Sequence, residues 1–80
     1  MAEVRLPELA EGTDKAVVSF WHKEIGEVVS KGDDLVEMLT DKATFNVPAP
    51  VSGKLISKDA EEGQEIRVGD IMGHIEEAPK

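Results

Sequence analysis

Eighty residues without a cysteine exclude disulfide bonding, thiol catalysis and cysteine-ligated metal sites. Seventeen acidic against nine basic residues leave a net charge of −8, which repels phosphate backbones and anionic lipid, so neither nucleic acid nor a membrane is expected as partner. A chain this short buries only about 60% of the surface its unfolded form exposes, which implies one core, one domain and about 4–12 kcal/mol of stability.

The N-terminal run Met1-Ala2-Glu3-Val4-Arg5 has no basic segment leading into a long apolar stretch, and nothing in the chain approaches bilayer-spanning length. A soluble, monomeric domain is expected, cytoplasmic or, in a eukaryote after processing, in the mitochondrial matrix. The apolar residues fall in short runs: Ala16-Val17-Val18, Val28-Val29, Leu35-Val36, Phe45-Asn46-Val47 and Leu55-Ile56. Glycines at 12, 26, 32, 53, 63, 69 and 73 interrupt any helix of normal length. Eight strands are predicted, near 3–6, 16–22, 27–29, 35–40, 43–47, 53–58, 64–66 and 71–76, an all-β fold. Between 43 and 47, Ala43, Phe45 and Val47 alternate with Thr44 and Asn46, so one side of that strand faces inward, opposite Val36 and Met38. Phe20 and Trp21 adjoin, so one of them points inward and the other toward the surface.

Gly26-Glu27-Val28-Val29-Ser30-Lys31-Gly32-Asp33 has the same Gly-x5-Gly-Asp spacing as Gly63-Gln64-Glu65-Ile66-Arg67-Val68-Gly69-Asp70, at an offset of 63 − 26 = 37 residues. Repeated glycine spacing alone could be coincidence, but each copy also precedes an apolar strand. Gly26, Gly32, Gly63 and Gly69 are therefore read as turn residues, and each half as a similar meander. Two such halves imply a flattened barrel or sandwich of two four-stranded antiparallel sheets with quasi-two-fold symmetry, neither half folding alone. The domain is expected to occupy 1–77, with Ala78-Pro79-Lys80 either opening an extended linker or fraying as an ordinary terminus.

A lone lysine beside an aspartate is usually a solvated turn. Here Lys42 sits in Gly32-Asp33-Asp34-Leu35-Val36-Glu37-Met38-Leu39-Thr40-Asp41-Lys42-Ala43, followed by Pro48-Ala49-Pro50-Val51-Ser52-Gly53-Lys54-Leu55. This arrangement closely resembles the lipoyl domains of 2-oxo acid dehydrogenase complexes. The resemblance extends to Leu6-Pro7-Glu8-Leu9-Ala10-Glu11-Gly12, similar to the family's opening strand and loop, to Val18–Trp21, and to Gly53, eleven residues after Lys42, where the family turns into its next strand. Two positions depart from it: Ala10 stands where many members carry Gly, and Leu39 where many carry Glu.

The resemblance implies that Lys42 carries lipoate as an amide, attached by a lipoate ligase or lipoyl transferase. It further implies service to a thiamine-diphosphate-dependent 2-oxo acid decarboxylase, an acyltransferase core and dihydrolipoamide dehydrogenase, the protein supplying position and the cofactor the chemistry. An exposed unmodified lysine is an ammonium at neutral pH and performs neither redox nor acyl chemistry itself. Asp41 and Ala43 are expected to form the recognition turn, Asp41 favouring the turn backbone and small Ala43 leaving room for the ligase. Glu11 and Gly12 resemble the family's partner-recognition loop.

A biotin carrier shares the fold, but its lysine is typically flanked by methionines, whereas the nearest here is Met38, four residues away. Glycine-cleavage carriers are longer chains. His22 and His74 lack metal-pair spacing and a recognisable Ser or Asp partner motif, so a carrier without its own active site is expected. An unmodified interaction module of the same fold is the remaining alternative.

Overall fold

The computed structural model describes residues 2–8 and 13–77. The predicted Glu11-Gly12 loop and the 78–80 tail lie outside the described residues. Eight strands run in chain order: β1 (Ala2–Arg5), β2 (Lys15–Trp21), β3 (Val28–Val29), β4 (Asp34–Leu39), β5 (Thr44–Pro48), β6 (Gly53–Lys58), β7 (Glu65–Arg67) and β8 (Ile71–Glu77). Each lies within about two residues of its predicted span, and the described residues contain no helix.

The strands form two antiparallel four-stranded sheets, ordered β1-β8-β6-β3 and β5-β4-β2-β7. The sheets stay separate, so the predicted flattened barrel takes its sandwich form. Neither half builds a sheet of its own: each sheet takes two strands from the first half and two from the second. Advancing every strand of the first half by four, and setting every strand of the second half back by four, turns one sheet order into the other. This is the two-fold relation that the glycine echo suggested. The meanders interleave because a lone half would leave one apolar face wet.

Hydrogen bonds repeat under the same operation. The Gly26 amide donates to the Leu55 carbonyl at 2.7 Å and the Gly63 amide to the Val18 carbonyl at 2.7 Å. The Ser30 amide donates to the Asp33 carboxylate at 2.9 Å, and the Arg67 amide to the Asp70 carboxylate at 3.1 Å. Four of the five predicted turn glycines adopt positive φ, at 95° for Gly26, 93° for Gly32, 86° for Gly63 and 89° for Gly69, where an L side chain is strained. Gly53 departs from its expected turn role. It is the first, buried residue of β6, paired with both Val29 and Glu77, and a Cβ there would overlap the Glu76 carbonyl oxygen. Close strand approach, not turn geometry, requires glycine at 53.

The core is two-fold as well: Val18 with Leu55, Val29 with Ile66, Leu35 with Met72 and Met38 with Ile75 are pairs separated by 37 residues, and all are buried. Among the described residues no polar or charged side chain joins them. A β-bulge between Val18 and Phe20 settles which aromatic turns inward. The extra residue shifts the side-chain alternation. Phe20 is left 39% exposed, while Trp21 packs against the core and donates its Nε1–H to the Ala60 carbonyl at 2.9 Å. Lys58, the two-fold mate of Trp21, lies 5.6 Å above that ring. There the ends of β2 and β6 meet; at their starts β2 runs beside the end of β4, with Val17 opposite Leu39, and β6 beside the end of β8, with Gly53 opposite Glu77.

Candidate functional site

The β4–β5 hairpin is aligned by its apolar face. Val36 lies opposite Val47 and Met38 opposite Phe45, as expected, while Leu39 and Thr44 form the last pair before the tip. Burial fades along β5 toward that tip: Val47 is 3% exposed, Phe45 is half-buried and Ala43, expected on the inward face, is exposed. Beyond Met38 the sandwich no longer covers the hairpin, so Asp41 and Lys42 project from it.

Two-residue hairpin loops favour positive φ at the turn, yet no non-glycine residue among those described has one. Thr40 resolves the conflict. Its amide donates to the Ala43 carbonyl at 2.8 Å, and its hydroxyl donates to the same carbonyl at 3.0 Å. The hydroxyl oxygen also accepts the Lys42 amide at 3.2 Å and the Ala43 amide at 3.0 Å. One donor and two acceptor positions exhaust what a hydroxyl offers. Thr40 therefore replaces the backbone carbonyl that would otherwise close the turn.

Thr40 is the residue that sequence reasoning missed. Its signal was present as a threonine two residues before the tip lysine, the spacing of a side-chain-closed turn. Asp41, expected to favour the turn backbone, accepts no hydrogen bond among the described residues, and its exposed carboxylate borders a neighbouring groove instead. The exposed Lys42 has no ion-pair or side-chain hydrogen-bond partner among the described residues. Such a side chain fits covalent attachment of a cofactor: its amine is reachable, and acylation strips no carboxylate of its counter-ion.

The structure gives His74 neighbours that the sequence did not announce. Ser57 Oγ lies 2.9 Å and Asp59 Oδ2 3.0 Å from its ring, both at Nδ1. A nucleophile relay needs the hydroxyl and the carboxylate on opposite ring nitrogens, so this cluster holds the β6–β8 surface together without activating Ser57. His22 Nε2 lies 2.7 Å from Asn46 Oδ1, and its ring meets Phe20 edge-on at 4.6 Å. No group of three or more metal-ligating side chains occurs among the described residues.

Known proteins share this arrangement. A family model for biotin and lipoyl attachment, described as "Biotin-requiring enzyme", matches residues 2–75. The chain is 43% identical over 74 residues to a dihydrolipoyllysine-residue succinyltransferase component of the 2-oxoglutarate dehydrogenase complex from Bartonella vinsonii subsp. berkhoffii, covering 92% of this chain and 18% of that one. It is 36% identical over 77 residues to a dihydrolipoyllysine-residue acetyltransferase component of the pyruvate dehydrogenase complex from Acholeplasma laidlawii, covering 96% of this chain and 14% of the relative. It thus spans less than a fifth of the length of these relatives. The solution structure of the lipoyl domain of the 2-oxoglutarate dehydrogenase complex from Azotobacter vinelandii superimposes with a TM-score of 0.78 at 26% identity, over 99% of this chain and 100% of that one. An all-β sandwich of two interleaved halves, a protruding lysine hairpin and these likenesses converge: the chain belongs to the biotin- and lipoyl-attachment family, as a lipoyl domain of the type found in acyltransferase components of 2-oxo acid dehydrogenase complexes.

Proposed function

We propose that Lys42 is the attachment site, carrying lipoate in amide linkage, and that the domain serves as the swinging-arm carrier of a 2-oxo acid dehydrogenase complex. The observation that carries this reading is the position of Lys42 at a hairpin tip braced by the saturated Thr40 hydroxyl. Attachment needs an unprotonated Nζ to attack an activated lipoyl carboxyl, the amine losing a proton as the C–N bond forms and the activating group leaves. The hairpin offers that nitrogen clear of the sheets. Once loaded, the dithiolane supplies reversible disulfide–dithiol chemistry and a thiol that holds an acyl group.

The chain's own contribution is placement. Tethering converts each encounter with a partner site into a local one at high effective concentration, and the rigid turn keeps the base of the arm in one position. That the relatives are acyltransferase components of 2-oxo acid dehydrogenase complexes supports a decarboxylase, an acyltransferase core and dihydrolipoamide dehydrogenase as the partners visited. Asp41 and Ala43, flanking the lysine on an exposed turn, are the surface a lipoate ligase or lipoyl transferase would meet.

Mass analysis of protein produced in a lipoate-replete host tests the assignment. One lipoyl amide on the peptide carrying Lys42 is expected, together with its loss in Lys42→Gln and an unchanged thermal transition. A biotin adduct, or an unmodified lysine with active ligase supplied, would overturn it.

A further inference from the structure

Beside the hairpin lies a groove of about 430 Å³, lined by Thr13, Asp14, Val17, Leu39, Asp41 and Glu65 among others. Its floor is the outer face of the second sheet, where Thr44, Leu39, Val17 and Glu65 stand in one row across β5, β4, β2 and β7. Leu39 is 45% exposed there, at the end of β4 that leads directly into the lysine turn. Ile25 and Val28 are more exposed, but Leu39, with Val17 beside it, is the exposed apolar residue that adjoins the lysine turn. From these features we infer that the groove is the resting site of the arm on Lys42, taking the alkyl chain of the lipoyl group along Leu39 and Val17.

Three features select this occupant. The first is reach: Leu39 is three residues from Lys42, about 10 Å of extended strand, less than the run of single bonds from the Lys42 Cα through the amide to the ring. The second is charge. Asp14, Asp41 and Glu65 border the groove against one cation, Lys15, which pairs with Glu65 at 3.6 Å, so the excess of carboxylates disfavours anions; a neutral amide-linked arm enters without repulsion, and its apolar chain gains by leaving water. The third is the tether itself, which holds the ligand locally at an effective concentration that lets a weak apolar contact become populated. A docked arm would shield its dithiolane from adventitious chemistry between visits, and a partner site would compete it away.

The inference rests on lipoylation of Lys42, and one pair of measurements separates the two. Amide chemical shifts of the 15N-labelled domain are compared before and after lipoylation, with the adduct read by mass on the same sample. Perturbations at Val17, Leu39 and Glu65 are expected besides those at the turn. Leu39→Glu, exposed and outward-facing and so compatible with the fold, should reduce the perturbation at Val17 about fivefold while leaving the adduct in place. Val17→Thr should reduce that at Leu39 by a smaller factor.

Perturbations confined to residues 40–44 in a sample shown to be lipoylated would overturn the groove assignment alone. So would groove perturbations that appear only when a partner decarboxylase is added, since the groove would then be a protein-docking surface. Absence of the adduct would overturn both readings.

Discussion

The two halves of the sandwich repeat each other in backbone and core, and they differ at one end. Leu6 and Ala49 occupy equivalent places: the Leu6 amide donates to the Asp70 carbonyl at 3.1 Å and the Ala49 amide to the Asp33 carbonyl at 2.8 Å. Their separation is 43 residues and not 37, so the first half carries six additional residues between β1 and β2. The pairing of β8 with β1 is likewise the counterpart of β4 with β5, but only the latter is closed by a hairpin. The insertion lies in the first half and the lysine hairpin joins the two halves, and Thr13 and Asp14 of the β1–β2 connection border the groove beside Asp41. The shared parts make the scaffold; the departures from symmetry make the site.

The core tests that equivalence most severely. Leu35 and Met72 are two-fold mates with no exposure, so Leu35→Ala and Met72→Ala should each cost about 2–5 kcal/mol in denaturant unfolding. Costs that agree within about 1 kcal/mol would support equal burial in both halves, and a severalfold disparity would break the comparison. Gly53 and Ala16 are also mates, yet Ala16 carries a buried Cβ where one at Gly53 would overlap the Glu76 carbonyl oxygen. Gly53→Ala should destabilise by about 1–3 kcal/mol through overpacking, with a fall in Tm, whereas Ala16→Gly should cost about 1 kcal/mol through backbone entropy.

At the tip, Thr40→Val removes the hydroxyl that closes the turn and should cost about 1 kcal/mol while slowing lipoylation. Thr40→Ser should restore both, as measured by unfolding and by time-resolved mass analysis. The smallest effect is electrostatic. Glu27 accepts the Glu24 amide at 3.1 Å, which, with Lys23 and Lys58 nearby, holds its carboxyl below the usual range despite slight desolvation. Because the folded state favours the ionised form, its contribution is present above the unfolded pKa and is lost as pH falls through the folded one. Gln64 already makes the equivalent bond, to the Glu61 amide at 3.0 Å, so Glu27→Gln should flatten that part of the acid dependence and little else.

Much of this was legible in the letters because it is local. Glycines at 26, 32, 63 and 69 announced positive φ, and β-branched runs between them announced strands. The interleaving of the halves was not legible, since period-2 patterns tell a strand which face to bury and not which neighbour to join. Phe20 and Trp21 could not be ordered for a related reason: a one-residue bulge reverses the alternation without changing composition. Gly53 was assigned to a turn because contact with Glu76, twenty-three residues away, is invisible along the chain. At the site Lys42 stood out by its neighbours, while Thr40 was passed over in favour of Asp41, since either residue type closes turns and only geometry chooses between them.

The pairing of Ala2 with Ile75 carries a consequence for synthesis. The domain's first strand leaves the ribosome before the strand it pairs with, its last, and at about 5–20 residues per second the 73-residue offset from Ala2 to Ile75 takes roughly 4–15 s. For that interval β1 is an unpaired edge. Its brevity, four residues with Glu3 and Arg5 flanking a single buried Val4, is what an edge that must wait without joining another chain requires.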